Sequence, residues 1–203
     1  MTKMLLLIAS SLVMAICSSA FPASHHQQIN GRYLETIVLN NTVDLDPEGT
    51  FRLDWDLVYE IPTNPLVVLE IQVQTSGWFS LRFTSTDLTL GDYFYGAYDP
   101  NKPSDNFFLD KHCQLFEGIG CETPEGPRED IRNDFQLVSF EFKSGYSMMR
   151  IARLADTGNN LQDVVITPGP MMIGWAWSAG IYNEFGLLTL IEKFGFQTVT
   201  LIE

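Results

Sequence analysis

The side chains able to do chemistry in this 203-residue chain are few: three His, three Cys and a surplus of acids, 25 Asp and Glu against 12 Lys and Arg. His25 and His26 stand side by side in a polar stretch near the N-terminus, which leaves His112 alone in the remainder. One His builds neither a Ser-His-Asp nor a Cys-His arrangement, because a base must face a nucleophile while a third group orients it. An N-terminal His with a second His holds copper in enzymes that oxidise polysaccharides. Here that would need cleavage before His25, which Pro22 disfavours, and nothing brings His112 near. The residues therefore point to binding, not catalysis.

The first 20 residues read as a secretion signal: Lys3, an apolar run from Met4 to Ile16, and Ser18-Ser19-Ala20 before the cut. Phe21 to Gly31 is polar, lacks periodicity and is expected to be a mobile arm. No later stretch has the length and apolarity of a membrane span, so a secreted, extracellular product is expected. Removing the signal takes Cys17 with it and leaves Cys113 and Cys121 as an even pair, expected to form a disulfide in an oxidising compartment. Asn40-Asn41-Thr42 is a glycosylation sequon with Asn40 as acceptor; Asn64 is followed by Pro65 and is excluded. The formal net charge of -13 disfavours nucleic acid and anionic lipid, and suits cations or basic partners.

The elements that must position such residues are strands. Phe51, Leu53, Trp55, Leu57 and Tyr59 alternate with Arg52, Asp54 and Asp56, the period of a half-buried strand. Val67, Leu69, Ile71 and Val73 repeat the pattern against Glu70, Gln72 and Gln74. Tyr33 to Leu39 alternates weakly. Further segments are expected at 78–83, 92–98, 106–111, 135–142, 147–154, 171–178 and 196–202, separated by turn residues such as Asn64-Pro65, Ser144-Gly145 and Gly169-Pro170. About ten strands and 12% aromatic residues predict one all-β domain, an immunoglobulin-like antiparallel β-sandwich over residues 32–203. The stretch from Cys113 to Arg132, rich in Gly, Pro and acid, reads as its least regular part.

Four segments carry a family resemblance. Leu45-Asp46-Pro47-Glu48-Gly49 precedes Leu53, Trp55 and Tyr59. Gly77 to Phe83 precedes Gly91-Asp92-Tyr93-Phe94. Asn133 to Val138 follows, and then Met172-Ile173-Gly174-Trp175-Ala176-Trp177. In this order they resemble the DOMON domain, the extracellular β-sandwich at the N-terminus of dopamine β-monooxygenase and related monooxygenases.

The resemblance implies a cation site of two Asp side chains and backbone carbonyls at Asp92, Tyr93, Lys111 and Asp134, with calcium the fitting cation because hard ions take several oxygens. Either Asp could instead simply cap a turn. Some DOMON relatives hold haem through a Met and a late His; those positions fall here near Leu88 to Leu90 and near Ser178, so haem is not expected. The copper domains of the monooxygenases have no counterpart before the chain ends. Trp55, Trp78, Trp175 and Trp177 are candidates for an apolar pocket between the sheets, or for core filler. The implied role is recognition of a small ligand or an extracellular protein. The rival is a redox role, as a haem carrier or as an accessory to a copper monooxygenase acting in trans.

Overall fold

The computed structural model describes residues 31–60, 62–98, 106–116, 120–121, 126–180 and 191–203. The expected signal peptide and all of the expected arm except Gly31 lie outside these residues. In chain order the elements are α1 (Gly31–Thr36), β1 (Asn41–Asp44), β2 (Phe51–Val58), β3 (Leu66–Val73), β4 (Trp78–Thr84), β5 (Leu90–Ala97), β6 (Phe107–Phe116), β7 (Gly120–Cys121), β8 (Arg128–Glu129), β9 (Gln136–Lys143), β10 (Tyr146–Leu154), β11 (Pro170–Ser178) and β12 (Lys193–Thr200). They form two sheets, β1-β2-β3-β10-β9 and β12-β11-β4-β5-β6-β7, with β8 added beside β6. Every pairing among them is antiparallel. The fold is the expected all-β sandwich, and the strands beyond the expected ten are short pieces such as β1, β7 and β8.

Alternation places the core. Phe51, Leu53 and Trp55 of β2 and Val67, Leu69, Ile71 and Val73 of β3 are buried against Phe79, Leu81, Phe83, Phe94, Ile173 and Trp175 of the facing sheet. Each strand contributes every second residue, because successive side chains leave opposite faces of the pleat. Tyr59, which the sequence pattern placed on the same face, lies past the end of β2 and is exposed.

Two turns show why the chain folds back where it does. The Asp46 carboxylate accepts the backbone N–H groups of Thr50 (2.7 Å) and Phe51 (3.0 Å), so the Leu45 to Gly49 segment is a side-chain-capped turn into β2. Between β9 and β10, Ser144 (φ 55°) and Gly145 (φ 88°) make a two-residue hairpin loop, whose left-handed backbone Gly adopts without Cβ strain.

The region from 33 to 39 differs from expectation: residues 31–36 are helical rather than extended. The outer face of β3 and β10 carries Leu66, Val68 and Ala152, and Leu34 is buried against that patch. The Arg150 guanidinium, ion-paired with Glu70, also donates to the carbonyls of Leu34 (3.2 Å), Glu35 (2.8 Å) and Ile37 (3.2 Å), which the end of a short helix leaves open. The weak alternation held no sign of this long-range cap. The stretch after Cys113 also has more order than its composition suggested, since β7 and β8 both pair back onto β6.

Candidate metal centre

The inner face of the seven-stranded sheet is apolar along most of its length and turns acidic at one end. Phe94 and Asp92 are alternate residues of β5, and Phe108, Asp110 and His112 are alternate residues of β6; the pairing sets Phe94 opposite Asp110 and Asp92 opposite His112. Asp163 enters from the β10–β11 connection, and one carboxylate oxygen from each of Asp92, Asp110 and Asp163 lies within 4.8 Å of the others. Asp130, just after β8, and Asp134, just before β9, join them, and the neighbouring Asp163 carboxylate disfavours the charged form of each. Facing these five acids are two guanidiniums, Arg153 from the inner face of β10 and Arg132.

Half of each carboxylate is accounted for. Asp92 Oδ2 accepts from Arg153 and from the Val164 N–H (3.1 Å), and Asp110 Oδ2 accepts the Asp134 N–H (2.8 Å). Asp130 Oδ1 meets His112 Nδ1 at 2.5 Å, and Asp163 Oδ2 accepts the Thr157 hydroxyl. The other oxygen of each, Asp92 Oδ1, Asp110 Oδ1, Asp130 Oδ2 and Asp163 Oδ1, is buried with no hydrogen-bond partner. An unpaired buried carboxylate oxygen is costly, and four in one place call for a cation or for protons.

The electrostatics agree. Burial, reinforced by neighbouring carboxylates, pushes Asp110 and Asp130 up to about 8. Burial raises Asp92 to about 6, with Arg153 partly opposing it. Asp134 is raised for the same first reason, against the Arg132 hydrogen bond. Burial holds the charged form of His112 down, so this imidazole adds little positive charge of its own. The donors are carboxylate oxygens, with no free thiolate or thioether among them, which suits a hard cation such as calcium over a soft metal.

Of the residues expected for a cation site, Asp92 and Asp134 are both in this cluster. Tyr93 and Lys111 are register partners on β5 and β6, but their side chains take the outer face: Tyr93 stacks on Tyr95 (5.9 Å) and Lys111 lies over the Tyr95 ring (5.8 Å). Only their backbone could serve the inner site. Asp110, Asp130 and Asp163 went unnoticed among 25 acidic residues. The usable signal was Asp110 and His112 at strand spacing, breaking an otherwise apolar face.

The remaining candidates are spread out. Cys113 and Cys121 are at disulfide distance, with Cα atoms 5.6 Å apart, and tie β6 to β7. Asn40 is exposed and its amide donates to Asp56 (2.5 Å). Trp55, Trp175 and Trp177 face inward; Trp78 lies on the outer face with Tyr95, so the four do not line one pocket. Trp55 donates its indole N–H to the Leu201 carbonyl (3.2 Å). Met149 and Met171 are buried in the core between the sheets, and Met148 and Met172 are half-buried. No helix among the described residues is long and apolar enough to cross a membrane.

Set against models of known protein families and against curated proteins, the chain matches none.

Proposed function

We propose that this chain is a secreted, non-catalytic DOMON-type module that recognises an extracellular ligand or protein on a sandwich pinned at one end by calcium. The observation that carries the reading is the set of four buried, unpartnered carboxylate oxygens of Asp92, Asp110, Asp130 and Asp163. Asp92, Asp110, Asp130 and Asp163 would hold the ion, with Asp134 beside them; the ion would neutralise the acids and join β5 and β6 to the connections before β9 and β11. The Cys113–Cys121 pair supports an oxidising, extracellular setting. The resemblance of four sequence segments to the DOMON domain supplies the family reading, and the capped turn at Asp46 gives the first of them a structural reason.

The test is metal analysis of the protein purified from a secretory host, followed by calcium titration calorimetry on the chelator-stripped sample. Stoichiometric calcium, lost in an Asp110→Asn, Asp163→Asn variant that still folds, supports the reading. A native chain that takes up no calcium at millimolar concentration refutes the cation site; a Soret absorption band would replace it with the haem alternative.

A further inference from the structure

One guanidinium crosses from the five-stranded sheet to the acid cluster on the other. Arg153 stands on β10, and its side chain is fully buried. Each of its three nitrogens has a separate acceptor: Nη1 donates to Asp92 Oδ2, Nη2 to the Val164 carbonyl (2.9 Å) and Nε to the Leu154 carbonyl (3.2 Å). Val164 in turn donates its N–H to the same Asp92 oxygen (3.1 Å), which closes a ring of three residues from β5, β10 and the β10–β11 connection. Asp163 is the residue before Val164. The rings of Phe135 (5.1 Å) and Phe83 (5.8 Å) pack against the guanidinium and leave it little freedom. Burial works against the charge of Arg153, and Asp92, Asp163 and Asp110 outweigh it, so the three acids of the tightest group all lie within its field.

A buried pair that served only to tie the two sheets would favour the two-pronged guanidinium–carboxylate geometry, in which both carboxylate oxygens are taken. Here the prongs are split between Asp92 and the Val164 carbonyl. Asp92 Oδ2 receives two donors, while its Oδ1 is buried and receives none, and Asp163 Oδ1 is buried and bare in the same way. From this arrangement we infer that Arg153 is a positioning residue of the cation site: by holding Asp92 Oδ2 and the Val164 carbonyl it presents Asp92 Oδ1 and Asp163 Oδ1 as ligands to one divalent cation. The inference rests on the cation reading. Its mechanism is orientation: a ligand gripped from behind does not have to be ordered when the ion arrives, and altering such a grip changes metal affinity by about 10- to 100-fold. Lysine separates placement from charge at this position. It keeps the positive charge but concentrates it on one nitrogen, without the fixed fork that serves two acceptors at once.

The experiment compares the native chain with Arg153→Lys, both from a secretory host and stripped of metal. Calcium calorimetry gives the affinity, and terbium luminescence lifetimes in H₂O and D₂O count the waters left on the bound ion. The expected result is calcium binding weakened about tenfold or more in Arg153→Lys, although the charge is unchanged, with more water on its terbium than in the native chain. A folded variant that is less stable in urea yet keeps native calcium affinity and native terbium hydration makes Arg153 a structural partner alone; the inference then falls and the cation site stands. A native chain that binds neither calcium nor terbium removes the site and the inference together. If Arg153→Lys does not fold even in calcium, the native chain decides: with ¹⁵N-labelled arginine, the buried Arg153 guanidinium resonances should shift as calcium is added, and resonances that stay in place through saturation overturn the inference.

Discussion

Replacing Asp110 by Asn should make the metal-free protein more stable and calcium unable to stabilise it further. One carboxylate oxygen from each of Asp92, Asp110 and Asp163 lies within 4.8 Å of the others. At that separation, and at an effective dielectric of about 20, two full charges repel by about 3.5 kcal/mol. Proton uptake is the alternative relief, and at neutral pH it costs about 4 kcal/mol for a carboxyl of ordinary acidity. By either route the metal-free native chain gives up about 3 to 4 kcal/mol at this position. An Asn amide is neutral. Its oxygen can keep the Asp134 N–H, which Asp110 now accepts at 2.8 Å, and its NH₂ can donate to the facing carboxylates. Allowing for relaxation of the native cluster, the net gain is about 2 kcal/mol, or about 4 to 8 °C in Tm for a domain of this size. Calcium at about 100 times its Kd should stabilise the native chain by about 2.7 kcal/mol and the variant by little. Thermal and urea unfolding of both proteins, each in calcium and in EGTA, make the comparison. A variant less stable than native in EGTA, or one that calcium stabilises as much as native, would refute the reasoning.

Three further outcomes follow from the same geometry. Arg153→Met removes the fully buried partner of Asp92 and should cost about 3 to 5 kcal/mol in urea unfolding, with Asp92→Asn on top recovering part of the loss; independent, additive effects would count against the pair. In EGTA the stability should fall as pH rises from the ordinary carboxylate range through about 8, since Asp110 and Asp130 keep protons in the folded chain that the unfolded chain has already released. Calcium stabilisation should grow over that same interval, and a melting series that rises with pH in EGTA would contradict the burial of these acids. Gly195→Ala should cost about 1 to 3 kcal/mol and alter tryptophan fluorescence, because a Cβ there would sit 2.8 Å from the Trp175 ring; native-like melting and emission would show that the indole has room to move.

Much of the fold was legible because strand periodicity is local. The alternation of Val67, Leu69, Ile71 and Val73 required no knowledge of partners to assign their face, and all four are buried in the inter-sheet core. Ser144-Gly145 likewise announced its hairpin, since a left-handed loop asks for Gly at a defined place. The short α1 was not legible. Its stability comes from Leu34 filling a patch on β3 and β10 and from Arg150, more than a hundred residues away, taking its open carbonyls.

The candidate site divides in the same way. By itself the sequence determined which chemistry is available: a single His away from the N-terminal pair, an even pair of cysteines after the N-terminal apolar run, and acids far in excess of bases. It also placed Asp92 and Asp134 as residues of interest. Only the tertiary structure decided that Asp110, Asp130 and Asp163 belong with them, because the strand pairing of β5 with β6 and the return of two long connections set their distances, and no local pattern encodes those. The unpartnered oxygens are equally a tertiary property: whether a carboxylate is buried without a donor depends on the residues that pack around it, and these come from every part of the chain.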